Sequence, residues 1–369
     1  MSLLHYIVLI AVGVGVTALV TPLVRNLAVK RHIMALPGGR KIHKKPIPET
    51  GGTAMIIGML AVFVFQIMGE KYFGWRGFVS DISSEPLALW GILLGTFVIY
   101  GVGLVDDIKD ITPRAKLIGQ IVAASIVAAS GLRISFISNP FNDSIILLGI
   151  LAIPATVLYL VSFANIINLI DGLDGLAAGL SAIASASLLA LAAGANQLSA
   201  AIIAAAVIGS CIGFLFFNFN PASIFMGDEG ALTLGFLLGI ISLMGVMKTT
   251  AAIALAVPLL IVGIPIFDTL SAIIRRVRHN KSFKEADRGH IHHRLLGRGF
   301  NQRQTVLIIY GWSAALAIGG YAIRYAPFWV RTITFIVLFA LTGLLAYWLG
   351  LFESVKAPAN SVDSTKKKL

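Results

Sequence analysis

Apolar runs of roughly twenty residues, separated by short polar stretches, repeat along the whole chain. Twenty residues is the length an α-helix needs to cross a bilayer core. The pattern predicts about eleven such spans, near 4–28, 51–69, 87–105, 115–130, 144–162, 175–193, 197–217, 230–247, 250–274, 305–323 and 328–350. The expected fold is all-α: one polytopic membrane domain over residues 1–352, followed by a polar tail, 353–369, whose composition reads as disordered. Residues 1–28 have no basic leading region and run past twenty apolar positions, so they read as a retained span and not as a cleaved signal.

The polar stretches orient the spans. With the N-terminus outside, loops 29–50, 106–114, 163–174, 218–229 and 275–304 and the C-terminal tail face the cytoplasm. Of the 29 Lys and Arg residues, only Lys71, Arg76, Arg133, Lys248, Arg324 and Arg331 then fall on the outer side, as the positive-inside rule requires.

Composition supports this reading. The chain has 369 residues, of which 57% are hydrophobic and 12% charged, with mean hydropathy +0.88. A soluble domain cannot hide that much apolar surface. The net charge of +12 does not point to nucleic acid, because the basic residues sit in the loops between spans. Cys211 is the single cysteine, which excludes an intrachain disulfide framework.

On this topology eight acids, Asp106, Asp107, Asp110, Asp171, Asp174, Asp228, Glu229 and Asp268, lie at or near cytoplasmic span ends. Like charges gathered on one side repel unless cations are present, and ionisable groups at a membrane boundary read as functional. The stretch Asn165-Ile-Ile-Asn-Leu-Ile-Asp-Gly-Leu-Asp-Gly175 carries two of them, Asp171 and Asp174, which share a face if a helix runs through both. Gly172 and Gly175 beside them leave room for a ligand or metal to approach the backbone. A polar turn that happens to carry acids is the plainer alternative. Asp106-Asp107, with Asp110 one turn on, is equally able to bind a hard cation, to supply a general base or to form a charged turn. Lys116, at the next helix start, is placed to neutralise a phosphate. Asp228, in Phe225-Met-Gly-Asp228, suits a metal ligand, and Phe225 suits either ring stacking or membrane packing.

Two basic loops complete the pattern. The first, Leu36-Pro-Gly-Gly-Arg-Lys-Ile-His-Lys-Lys-Pro46, precedes Gly51-Gly52, where a helix N-terminus favours anions; a purely topogenic loop reads the same way. The second holds Gly289-His-Ile-His-His-Arg294. Zinc is disfavoured there because structural zinc usually recruits Cys/His pairs at wider spacing and no cysteine is near; diphosphate or sugar hydroxyls suit it better. Acids, phosphate clamps and membrane burial together point to phosphoryl transfer between a water-soluble and a lipidic substrate. An ion-coupled transporter would instead place acids near the bilayer midplane within an internal repeat of broken helices, and no such repeat is visible.

In these clusters the chain resembles the polyprenyl-phosphate N-acetylhexosamine-1-phosphate transferases, whose motifs recur here in the same order over most of its length. The resemblance implies transfer of a sugar-1-phosphate from a UDP-sugar to undecaprenyl phosphate, release of UMP, and dependence on Mg²⁺ or Mn²⁺. It implies catalytic roles for Asp106, Asp107 and Asp171, metal ligation by Asp174 and Asp228, and substrate contacts from Lys44, Lys116, Asn168, Asn218, Phe225, His290, His292, His293 and Arg294. Phe225 matches an aromatic that stacks on uracil. The His-Ile-His-His-Arg form is similar to the UDP-GlcNAc branch, the phospho-MurNAc-pentapeptide branch having an uninterrupted His triplet. Other UDP-N-acetylhexosamines and UDP-MurNAc-pentapeptide remain alternative donors, and direct displacement and a covalent phospho-carboxylate are both open. The implied setting is a bacterial plasma membrane with the active site facing the cytoplasm; a homo-oligomer is compatible with this reading.

Overall fold

A computed structural model describes residues 2–35, 46–76, 86–138, 145–246, 263–278, 290–322 and 326–351. Twelve helices account for most of them: α1 (Leu3–Lys30), α2 (Gly51–Phe73), α3 (Pro86–Lys109), α4 (Pro113–Ala129), α5 (Ala152–Ile170), α6 (Leu176–Gly194), α7 (Leu198–Asn218), α8 (Gly227–Val246), α9 (Gly263–Arg278), α10 (Ile291–Gly297), α11 (Gln302–Ala322) and α12 (Phe328–Trp348). Eight of the helices among the described residues are long and apolar enough to cross a membrane: α1, α2, α3, α5 with the turn before it, α6, α7, α8 and α11. The chain is thus a multi-pass, all-α membrane protein. At 17 residues α4 is shorter than these, and the span expected over 250–274 is described only from Gly263.

The helix α7 is the axis of the bundle. It packs against α1, α2, α6 and α8, and Ala200–Val207 are all buried. Small residues let it take that place. A Cβ added at Gly209 would lie 2.6 Å from the Ile10 carbonyl oxygen, and one at Gly213 would lie 2.6 Å from that of Val14. The first and seventh helices therefore touch backbone to backbone. Outside this axis, α3 packs on α4 and α8, α5 packs on α8 and α4, and α11 packs on α6 and α12.

Two boundaries depart from the hydropathy pattern. The run expected to span 144–162 opens instead as β4 (Ile145–Leu147), antiparallel to β3 (Phe136–Ser138), then turns through Gly149 at φ +51° before α5 begins. Paired backbone groups of β-branched residues compete there with helix, and hydropathy alone does not register that. At its other end α5 continues to Ile170, so the expected loop 163–174 contracts to the turn Asp171–Gly175. Asn165 lies within α5, where its side-chain amide donates to the Val161 carbonyl at 2.8 Å and pairs with the buried Gln120 of α4. A second strand pair, β1 (Met34–Ala35) with β2 (Ile47–Pro48), brackets the first basic loop.

Candidate active site

The acids meet where the ends of α3, α5 and α7 face the starts of α4, α6 and α8. Asp106 and Asp107 occupy the last turns of α3, inside the helix and not in a loop. Like any helix, α8 begins with backbone amides that have no partner within it. Asp107 supplies the partner from another helix: its Oδ1 accepts from the Asp228 amide at 2.8 Å and its Oδ2 from the Glu229 amide at 3.0 Å. The close fit is made by Gly103, where a Cβ would lie 2.3 Å from the Glu229 Cα.

Around that cap the predicted residues converge. Lys116 of α4 pairs with Asp106, at 3.0 Å, and with Asp228. Asn168 of α5 donates to Asp228 Oδ1 at 2.6 Å. Asp106 also accepts from the Ile111 amide at 3.0 Å, which fixes the carboxylate as the chain turns into α4. With 31% of its side chain exposed, Asp228 remains open to a ligand, whereas Asp106 at 12% and Lys116 at 16% are largely covered. Asp110 is exposed, at φ +51°, beyond the end of α3.

The turn after α5 does not carry Asp171 and Asp174 on one helical face. Asp171 is the C-cap of α5, and Gly175, at φ +79°, starts α6 in a left-handed conformation that favours glycine. Asp174 Oδ2 accepts from Asn220 Nδ2 at 2.9 Å and from the Ala222 amide at 3.0 Å. Asn220 in turn donates to Gln302 Oε1 at 2.7 Å, linking this acid to the start of α11. Asn218 is buried and acts on backbone: it accepts from the Gly175 amide and donates to the Ile224 carbonyl, both at 3.0 Å. In this position it braces the start of α6 against the segment before α8. Phe225 is half-buried and bound through its backbone, its amide donating to the Pro48 carbonyl at 2.8 Å and its carbonyl accepting from Gly51 at 2.9 Å. This brings the far end of the first basic loop beside Phe225; Lys44 itself lies outside the described residues.

The histidine motif starts α10, with His290 as its N-cap. His290 and His292 stack with ring centroids 5.8 Å apart and planes 2° from parallel, and His293 lies 4.3 Å from His292. The His292 ring rests on Gly172, where a Cβ would lie 3.0 Å from it, so the motif seats on the Asp171–Gly175 turn. Burial and the neighbouring His293 push the His292 ring down to about 3, so it is neutral. Its buried Nδ1 has no hydrogen-bond partner among the described residues. Arg294 follows one turn on, its amide donating to the His290 carbonyl at 3.1 Å.

Among the described residues no three His, Cys, Asp or Glu side chains form a preformed cation cage. The donor set nevertheless fits a hard divalent cation, because Asp171, Asp174 and Asp228 offer only oxygen. Burial, followed by the negative charges of Asp228, Glu49 and Asp174, pushes the Asp171 carboxyl up to about 8.

Other participants tie the site to the surrounding helices. Glu229 is fully buried and accepts from the Thr53 amide at 2.7 Å and from its hydroxyl at 3.0 Å, and that hydroxyl also meets Tyr100 at 3.0 Å, tying α2 and α3 to α8. Asn220 and Gln302 were not singled out, although Asn220 sits within the Asn-Phe-Asn-Pro run. Asp268, buried on α9, binds His290; an acid within an apolar segment was its one signal.

Residues 89–246 match the model of glycosyl transferase family 4, a stretch that includes every candidate from Asp106 to Asp228. The chain is 35% identical over 356 residues, 96% of its length and 95% of the relative's, to a probable undecaprenyl-phosphate N-acetylglucosaminyl 1-phosphate transferase of Bacillus subtilis. It is 36% identical over 333 residues, 83% of this chain and 82% of the relative, to a decaprenyl-phosphate N-acetylglucosaminephosphotransferase of Mycobacterium leprae. Similarity extends, at 31% over 310 residues, 79% of this chain and 87% of the relative, to a phospho-N-acetylmuramoyl-pentapeptide-transferase of Halalkalibacterium halodurans.

Proposed function

The chain belongs to glycosyl transferase family 4, and from that premise we propose that it moves GlcNAc-1-phosphate from UDP-GlcNAc to undecaprenyl phosphate. The products are undecaprenyl-diphosphate-GlcNAc, which stays in the bilayer, and UMP. Such a step initiates a cell-envelope polysaccharide or teichoic acid. The observation that carries this reading is the junction of Asp106, Lys116, Asn168 and Asp228, in which three parts of the chain distant in sequence assemble one anionic patch with a cation inside it.

In this mechanism an oxygen of the lipid phosphate attacks the β-phosphorus of the donor. A new P–O bond forms, the bond from the β-phosphorus to the bridging oxygen breaks, and UMP departs with that oxygen. Asp106, held by Lys116 and the Ile111 amide, presents its carboxylate to the acceptor phosphate and takes its proton if one is present. Lys116 offsets charge on the phosphates, and Asn168 keeps Asp228 oriented. Mg²⁺ or Mn²⁺, held by Asp174 and Asp228 when bound, supplies charge neutralisation at the diphosphate. Positioning and electrostatics cover most of what phosphoryl transfer needs, which favours direct displacement over a phospho-enzyme. The Lys/Arg distribution supports a cytoplasm-facing site in a bacterial plasma membrane. The interrupted histidine motif supports UDP-GlcNAc over UDP-MurNAc-pentapeptide.

The test is release of radiolabelled UMP from UDP-GlcNAc by purified protein, with and without undecaprenyl phosphate and Mg²⁺, alongside a panel of other UDP-N-acetylhexosamines and UDP-MurNAc-pentapeptide. Release that needs both the lipid and the cation, and is fastest with UDP-GlcNAc, is expected. Release indifferent to the lipid, or none from any donor, refutes the proposal.

A further inference from the structure

The carboxylate of Asp268 is 1% exposed and both its oxygens are occupied. Oδ1 accepts from the Ile291 amide at 2.7 Å, and Oδ2 lies 2.8 Å from His290 Nδ1. A backbone amide can only donate, so Oδ1 is committed as an acceptor. An ionised carboxylate has only acceptors to offer on the other side as well, which places a proton on His290 Nδ1. In a neutral imidazole the partner of one nitrogen fixes the character of the other. With the His290 ring neutral, this leaves Nε2 as the acceptor.

We infer that Asp268 is a positioning residue that makes His290 a reader of hydrogen-bond donors on the sugar and not of the diphosphate. This rests on the proposed transferase reading. An accepting nitrogen is repelled by phosphate oxygens and matches the hydroxyl or acetamido N–H groups of an N-acetylhexosamine. The geometry aims the effect: His290 stacks on His292, and His292 rests on Gly172 of the acidic turn, so the fixed ring stands one layer from that turn. The same carboxylate caps the first turn of α10, so one side chain sets both the place of the motif and the character of its leading ring.

Asp268→Asn separates these two roles because the shape is kept. The amide oxygen still accepts from Ile291, which turns the NH₂ toward Nδ1 and moves the ring proton to Nε2. The expected result is a KM for UDP-GlcNAc raised by about tenfold, in line with loss of one buried hydrogen bond, while the inhibition constant of UDP, which lacks the N-acetylhexosamine, is unchanged. In a His290→Ala background Asp268→Asn should add nothing. Solid-state nitrogen NMR of histidine-labelled protein, with His290→Ala for assignment among the seven histidines, should show Nδ1–H in the parent and Nε2–H in Asp268→Asn. An unchanged KM in a variant with the parent's melting temperature overturns the inference. So does a parallel rise in the UDP constant, additivity with His290→Ala, or a parent ring protonated on Nε2 alone. Failure of the parent protein to release UMP would sink the transferase reading, whereas these outcomes in an active parent sink only the role of Asp268.

Discussion

Asp107 caps the start of α8, accepting from the amides of Asp228, 121 residues further along the chain, and Glu229 at 2.8 and 3.0 Å. One acid of the adjacent pair therefore holds the neighbour of the other, and the two adopt different work. Asp107 faces backbone, while Asp106 faces Lys116. Asp107→Ala should lower the melting temperature in detergent by a few degrees, since loss of a cap costs about 0.5–2 kcal/mol. It should also lower UMP release by displacing Asp228. Asp107→Asn retains one acceptor and should fall between. An Ala variant that melts with the parent would show that the cap carries no weight.

Contact between α3 and α8 at Gly103 gives a second expectation. A Cβ there meets backbone at 2.3 Å, and backbone cannot swing aside as a side chain can. Gly103→Ala should therefore push the two acids of α3 away from Asp228, and a misplacement of about 1 Å costs about a hundredfold in rate. Gly101→Ala, where the added methyl meets open space, is the control and should leave turnover as it is. Equal rates for both variants would contradict the dependence of the site on this approach.

Asp228→Ala should abolish turnover without loss of membrane insertion. In the parent, chelation should stop UMP release, and added Mg²⁺ or Mn²⁺ should restore it. Near-parental rates for the variant in Mg²⁺ would remove Asp228 from the site.

Asn218 bridges the Gly175 amide and the Ile224 carbonyl in a buried position. Asn218→Ala leaves both backbone groups without their partner and should cost about 1–3 kcal/mol of stability. The melting temperature should drop while the KM for either substrate changes little. A raised KM at unchanged stability would return this residue to the substrate.

What the sequence made legible follows from what is costly in a membrane. Asp106, Asp107, Asp171, Asp174 and Asp228 stood out because charges at the ends of apolar runs need a reason to be there. Partners such as Asn220 and Gln302 did not stand out, because the hydrogen bonds from Asn220 to Asp174 and to Gln302 join residues far apart in sequence through groups with no local pattern. Hydropathy located the helices but not their ends. It took Asn165 for loop because polarity is visible in a sequence, while the buried amide of Gln120 that receives it is not. It likewise read Ile145–Leu147 as the start of a span, where the chain pairs with β3 instead.

The backbone contact between α1 and α7 also imposes an order on biogenesis. The first span leaves the ribosome with its close-packing surface facing lipid, and the partner for that surface does not exist until about two hundred residues have been made. Until then α1 has only α2 beside it, whose Gly58 lies against Thr17, and its face toward α7 remains in lipid. A chain interrupted before Gly209 would thus keep a first helix mated to α2 alone, its small-residue face still open and vulnerable to membrane quality control however well each segment had crossed the bilayer.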